Sequence, residues 1–137
     1  MTYLEVYKTC VNLFLDNWVE TEIEQEGIKL QVKDLNEFVR IQVFNDDSSN
    51  FSHGQIPNKL LTGHVAVEVY ARRGEGVGRL LELTDICASI FDNVKMPSGL
   101  KFQAAQVVDH AQMITGETVT DPNWISKSVI TRFKAPL

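Results

Sequence analysis

The segment that most constrains this chain is the run from His64 to Ala71, in which Val65, Val67 and Val69 alternate with polar, small or aromatic residues. A period of two over eight residues predicts a β-strand with two different faces. A turn at 72–76 follows, and apolar residues at helical spacing then predict a helix from about Val77 to Asp92. Its predicted inner face comprises Leu80, Leu81, Thr84, Cys87, Ala88 and Phe91. The passage from Val65 to Val108 predicts either a parallel crossover or an antiparallel return.

One further helix and three further strands complete the pattern. Thr2-Tyr3-Leu4-Glu5 matches the S/T-x-x-E capping box, and the apolar spacing from Leu4 to Trp18 predicts an amphipathic helix. Strands are predicted at 38–44, 100–108 and 124–133. Their predicted inner faces are Val39, Ile41 and Val43 in the first, Leu100, Phe102, Ala104 and Val108 in the second, and Ile125, Val129 and Phe133 in the third.

This order predicts an α+β or mixed α/β fold, with a mostly antiparallel sheet and two main helices packed on it. The chain has 137 residues, of which 44% are hydrophobic, so one domain spanning 1–137 with its own core is expected.

Two segments have weaker signals. From Glu20 to Glu26, glutamates occupy every second position, which fits a strand with one solvated acidic face. Alternating apolar residues continue after Gly27, and a short hairpin fits them. Asn45–Gly63 is rich in Asn, Asp, Ser and Gly and is predicted to be a long loop, a length typical of functional segments.

No catalytic, cofactor-binding or metal site is predicted, and therefore no enzyme. His53, His64 and His110 lack metal-ligand spacing, and the acidic run lacks the His or turn residues that a metal site needs. The glycine-rich segment 73–79 is interpreted as a strand-to-helix turn. A phosphate site is the alternative there, but Glu75 would place a negative charge where the phosphate should lie.

The cysteine and charge counts narrow the class of protein. Cys10 and Cys87 lie in helical apolar patterns and are interpreted as buried thiols, with a disulfide as the alternative if the two helices pack closely. The formal net charge of −5 argues against broad binding to nucleic acid. No apolar run approaches the roughly 18 residues of a membrane span, and residues 1–5 lack the basic start of a signal peptide, so a cytoplasmic origin without membrane contact is expected.

In the order of its segments, the chain resembles the tail-terminator (tail completion) family of long-tailed bacteriophages. The resemblance covers nearly the whole chain. It rests on a first helix that ends in an aromatic residue (13–18), a strand that runs into a polar segment (38–44), a strand, Gly-containing turn and helix (63–71 and 78–85), and a late strand (124–133). The acidic stretch at Glu20–Glu26 and the length of 111–123 depart from the family pattern.

The resemblance implies a structural virion protein of the tail and neck, assembled in the host cytoplasm. Its subunits would form a homohexameric ring that caps the tail tube, stops tube polymerisation and joins the tail to the head. The implied partners are other copies of the chain, the tail tube protein and a head–tail connector or stopper protein, while DNA would pass through the lumen without specific binding. Another connector or minor tail component, or a small ligand-binding domain, is the alternative.

Contacts between subunits are expected on polar and charged segments. The cluster of Arg72, Arg73 and Arg79 is interpreted either as a solvated turn or as a contact with the acidic stretch of another copy. The second interpretation would suit a ring, in which each subunit offers two different surfaces. The candidate interface residues are Glu22, Glu24, Asp46, Asp47, Asn50, Phe51, His53, Arg72, Arg73 and Glu75.

Overall fold

A computed structural model describes residues 1–50, 59–74, 77–109 and 124–137. Within these ranges two helices pack on a five-stranded, mostly antiparallel sheet, so the predicted α+β fold is confirmed. The elements in chain order are α1 (Tyr3–Asn17), β1 (Glu22–Glu24), β2 (Glu37–Asn50), β3 (Lys59–Arg72), α2 (Val77–Phe91), β4 (Lys101–Val108) and β5 (Trp124–Pro136).

The strands lie in the order β1-β2-β3-β5-β4, and only β1 and β2 pair in parallel. Both β3 and β4 are antiparallel to β5, which lies between them, so β3 and β4 run in the same direction. The passage β3-α2-β4 is therefore a parallel crossover with one strand inserted in the middle. This decides between the two connections that the sequence leaves open.

One face of the sheet carries the helices and the main core. Ile41, Val67 and Val129 are in register across the three central strands and are buried beneath α1 and α2. The predicted capping box is present, because the Glu5 backbone N–H donates to Thr2 Oγ1 and the Thr2 N–H donates to the Glu5 carboxylate. In α2 the predicted inner face is wrong at Leu81, which is 44% exposed, and Leu83 is buried instead.

The other face of the sheet, the back face, holds a smaller apolar cluster. The rings of Phe38 and Tyr70 stack at 4.6 Å, and Trp124 meets Phe38 edge-on at 5.0 Å. Partly buried side chains of the 25–36 segment pack against these rings: Leu30, Val32 and Leu35. The expected hairpin at this point is therefore wrong. β1 is three residues long and parallel to β2, and the chain after it folds over the aromatic cluster.

The predicted loop at Asn45–Gly63 is also wrong in its bounds. Residues Asn45–Asn50 continue β2 and residues Lys59–Gly63 belong to β3, paired from Asn45↔Gly63 to Asn50↔Lys59. A register shift between Asn45 and Asp47 inserts one extra residue into β2. We call this paired extension, 45–50 with 59–63, the arm. Its polar residues mimic a loop in the sequence because the β2 side of the arm is exposed and has no core to face.

A second register shift alters the predicted face of β4. Phe102 is buried as expected, but the shift between Phe102 and Ala105 turns Ala104 to solvent. An extra residue in one strand reverses the facing of every side chain that follows it, and a period of two in the sequence does not reveal this.

Gly63 is required where the arm joins the body of the sheet. A Cβ at this position would lie 2.2 Å from the Phe44 carbonyl oxygen and 2.6 Å from Phe133 Cζ. We expect Gly63→Ala to lower the free energy of unfolding by about 1–3 kcal/mol through overpacking. Gly78→Ala is the matched control, since nothing lies within 4 Å of that site in α2, and it should be neutral or stabilising by up to about 1 kcal/mol. Urea unfolding of both variants makes the comparison, and equal stabilities would contradict the steric argument.

Cys10 and Cys87 are buried free thiols on α1 and α2. Burial raises the pKa of the Cys10 thiol to about 12 and also raises the pKa of the Cys87 thiol. Because the thiolate is the reactive form, we expect both thiols to react with Ellman's reagent at pH 8 at least about a thousandfold more slowly in the native protein than in urea. Rapid labelling of either thiol without denaturant would show that its helix does not stay packed.

Candidate interaction surfaces

The arm presents a polar, exposed strand to solvent. Residues 45–49 of β2 are all exposed, and Asp46 and Asp47 lie at the register shift. Asp46 Oδ2 lies 2.9 Å from His64 Nδ1, and the His64 ring stacks on Phe44 at 4.8 Å. These contacts fix the direction of the Asp46 side chain, whereas Asp47 forms no ion pair with any residue at 1–50, 59–74, 77–109 or 124–137.

Strand β5 supports the arm over its whole described length. Its pairing with β3 runs from Arg72↔Trp124 to Leu60↔Pro136, and the Leu137 N–H donates to the Lys59 carbonyl at 2.9 Å. The opposite edge of β2 is covered by β1 only at residues 38–40. The arm is therefore a three-stranded extension, and no described strand covers its edge at residues 45–50.

The acidic stretch makes its ionic contacts within the chain. Glu24 Oε1 lies 2.8 Å from Arg40 Nε, and a Glu26 carboxylate oxygen accepts the Val43 backbone N–H at 2.6 Å. Glu22 is exposed on β1. The candidate residues Glu22 and Glu24 are thus brought to the same strand but into different surroundings, one solvated and one paired.

Arg79 binds the acidic stretch of its own chain. Its guanidinium is 2.9 Å from Glu37 Oε1, 3.6 Å from Glu20 Oε2 and 3.2 Å from Glu82 Oε1. The hydrogen bond to Glu37 is the largest cause of a raised pKa for Arg79. The expected contact between the arginine cluster and the acidic stretch of another copy stays a prediction, but for Arg79 the carboxylates of its own chain, including Glu20 of that stretch, already lie within 4 Å.

Arg72 is also occupied within the chain. Its guanidinium donates to the carbonyls of Leu35, Lys33 and Val32 and lies 3.9 Å from the centre of the Trp124 ring. It holds the 25–36 segment on the back face. The role of Arg72 in contacts with a partner therefore stays a prediction, although its Nε and Nη2 donors are used within the chain.

The remaining candidate residues fall at the limits of the described ranges. Arg73 is exposed at the start of the turn after β3, and Asn50 is the last residue of β2. Phe51, His53 and Glu75 lie outside the described residues, as does Gly76 of the glycine-rich segment 73–79.

A buried ionic group occupies the centre of the back face. Glu68 is 1% exposed, accepts a hydrogen bond from the Tyr70 hydroxyl and lies 3.6 Å from Arg40 Nη1. Burial, followed by the hydrogen bond to Glu68, raises the pKa of Tyr70. Arg40 thus bridges Glu24 and Glu68 and links β1, β2 and β3. A carboxylate inside an otherwise apolar strand was the sequence signal for this group.

Three polar atoms near this group lack hydrogen-bond partners: Glu68 Oε1, Ser128 Oγ and Gln42 Oε1. Beside them a cavity of about 290 Å³ is lined partly by Glu24, Arg40 and Gln42. No described cluster of three or more His, Cys, Asp or Glu residues is arranged to hold a metal ion. Polar groups that could orient a small ligand are thus present, but no nucleophile–base pair accompanies them at 1–50, 59–74, 77–109 or 124–137.

Comparison with known proteins does not assign the chain to a family. No protein-family model matches the sequence, and no curated protein matches it either. Neither helix in the described part of the chain is long and apolar enough to cross a membrane.

The Arg40–Glu68 pair should be energetically coupled. Arg40→Met leaves a buried carboxylate without its cation, so we expect a loss of about 2–4 kcal/mol in unfolding free energy. Adding Glu68→Gln should then recover part of this loss, because the amide keeps an acceptor for Tyr70 without the charge. The exposed Arg73→Met is the control and should change stability by less than about 0.5 kcal/mol. Equal effects of Glu68→Gln in the two backgrounds would show that the pair is not coupled.

Proposed function

We propose that this protein is a subunit of a tail-terminator ring of a long-tailed bacteriophage. In this role it caps the finished tail tube, prevents further polymerisation and presents a docking surface to a head–tail connector. The work is done by association between proteins and involves no bond-making.

The observation that carries this proposal is the arm on an α+β body. The segment order that resembles tail terminators, namely helix, strand, polar segment, strand, helix and late strand, corresponds to elements that pack as one sheet with two helices on it. The polar segment continues the hairpin as paired strands, with the β2 residues 45–49 exposed. A supported strand pair with an exposed polar edge suits contact with a neighbouring protein better than containment of a small substrate.

A small-ligand-binding domain is the second candidate, favoured by the cavity beside Arg40 and Gln42. Its volume of about 290 Å³ is at the lower end of ligand sites, and its charged lining includes Glu24 and Arg40, which already pair with each other. A polar metabolite is the class of ligand that such a lining would accept. This candidate ranks second because Glu24 and Arg40, two of the charged residues that line the cavity, already pair with each other.

The proposal predicts that the chain closes into a ring and binds tube ends. Light scattering after size exclusion should give a mass six times that of one chain, either for the protein alone or after it is incubated with tubes assembled from its cognate tail tube protein. Electron microscopy should then show density at tube ends, and the tubes should stop lengthening.

The matched control is the same incubation with an unrelated protein of similar size and charge, which should leave tube growth unchanged. A chain that stays monomeric and leaves tube growth unaltered would contradict the proposal. A thermal shift with polar metabolites would in that case favour the ligand-binding candidate.

A further inference from the structure

Three lysines stand side by side across neighbouring strands at one edge of the sheet. Lys95 pairs with Lys101 in an isolated antiparallel bridge, and Lys101 pairs with Lys134 across β4 and β5. Residues in register point to the same face, and this is the back face, opposite the helices. We call these three residues the lysine row. All three are exposed.

The geometry of the row brings like charges close together. Hydrogen bonds from Met96 N to Leu100 O and from Phe102 N to Val94 O, both 2.8 Å, flank the Lys95–Lys101 bridge. This is the narrow type of antiparallel pair, with Cα atoms about 4.5 Å apart and side chains in closest approach. Like charges directly opposite each other destabilise a sheet.

No described acidic group compensates this charge. None of the three lysines forms an ion pair with a residue at 1–50, 59–74, 77–109 or 124–137. The exposed Arg132, two residues before Lys134 on the same face of β5, adds a fourth cation. By contrast, Arg40, Arg79 and Lys127 are all paired with carboxylates.

The opposite edge of the sheet carries negative charge at positions that are in register with the lysine row. Lys134 is in register with Thr62, and Thr62 is in register with Asp47. The back face therefore changes from positive at the lysine row to negative at Asp46 and Asp47, over four strands. These aspartates lie on the β2 stretch that β1 does not cover.

We propose that the lysine row of one copy binds Asp46 and Asp47 of the next copy, as the two halves of a head-to-tail interface. This inference rests on the proposed ring and specifies its contact. A ring needs two different, complementary surfaces on each subunit, and a rotation about the ring axis brings one edge of each sheet to the other edge of its neighbour. The lysine row and the two aspartates lie in register on opposite edges of the sheet, and they therefore meet this requirement.

The charge balance favours a second copy of the chain, rather than a nucleic acid, as the partner that binds the lysine row. Specific binding to a nucleic acid backbone uses about six to ten phosphate contacts, whereas this patch offers four cations on a chain with a net charge of −5. The acidic half of the interface, in contrast, is already present on the same molecule.

A charge-swap experiment tests the inference. The row variant carries Lys101→Glu and Lys134→Glu, and the edge variant carries Asp46→Lys and Asp47→Lys. Each should stay folded with a melting temperature within a few degrees of the wild type, because the four side chains are exposed and both the Asp46–His64 contact and the repulsion between facing lysines are surface interactions worth about 1 kcal/mol or less. Each alone should associate at least about tenfold more weakly than the wild type, whereas an equimolar mixture should restore assembly through alternating copies. Lys8→Glu with Lys33→Glu, two exposed lysines elsewhere, is the charge-matched control and should assemble normally.

Assembly is measured by light scattering, alone and on tube ends, and binding to a 30-base-pair DNA duplex by anisotropy. Normal assembly of the row variant beside an assembling wild type would overturn this interface and leave the ring proposal standing. A wild type that assembles in neither setting would overturn both. DNA binding that the wild type shows and the row variant loses, with self-association intact, would reassign the row to nucleic acid and also overturn the interface.

Discussion

Strand β3 is the constraint on which the rest of this structure depends. It pairs with β2 on one side and β5 on the other along nearly all of its length, from the arm to Arg72. Its alternation divides the molecule, because Val65, Val67 and Val69 face the helices while Glu68 and Tyr70 face the back. A slip of one residue would place the Glu68 carboxylate in the helix-covered core, at a cost of several kcal/mol. The buried polar group thus specifies the register that the valines alone leave open.

The sequence predicts those helices and strands in which the spacing of apolar residues matches the pattern of buried side chains. The helices at Tyr3–Asn17 and Val77–Phe91 and the strand around Val67 follow from apolar spacing and a capping box, and all are present. The sequence does not predict the arm, because residues 45–49 of β2 are all exposed. Their pairing with β3 therefore produces no alternation of apolar and polar residues. The register shift near Asp46 hides it further, since an inserted residue breaks any period of two.

The candidate surfaces were only partly predictable, because they depend on contacts between distant residues. The acidic stretch and the arginine cluster were recognisable as complementary, but the sequence cannot show that Glu20 and Arg79 meet within one chain. Nor can it show the lysine row, whose members are separated by up to 39 positions and become neighbours only through β4 and β5 pairing. Asp46 and Asp47 were singled out for polarity, and their place at an open edge comes from the topology.

The way in which the sheet edges are closed limits how copies of this chain can associate. Backbone groups of Asn93, Val94 and Met96 hydrogen-bond to Leu100 and to the first residues of β4, and the Asp92 side chain accepts the Ala105 N–H at 2.9 Å. At the other edge, β1 and the Glu26 carboxylate cover β2 as far as Val43. Blocked edges of this kind prevent uncontrolled strand addition. On the side away from β3, residues 45–50 of β2 have no described strand beside them, but the register shift and the two aspartates there disfavour strand addition. Association through charged side chains is therefore favoured over strand pairing, and it is reversible and weakened by salt, whereas edge-to-edge strand pairing is open-ended. For the proposed ring subunit, covered or blunted strand edges together with exposed charges would favour association with neighbours in one arrangement over open-ended aggregation.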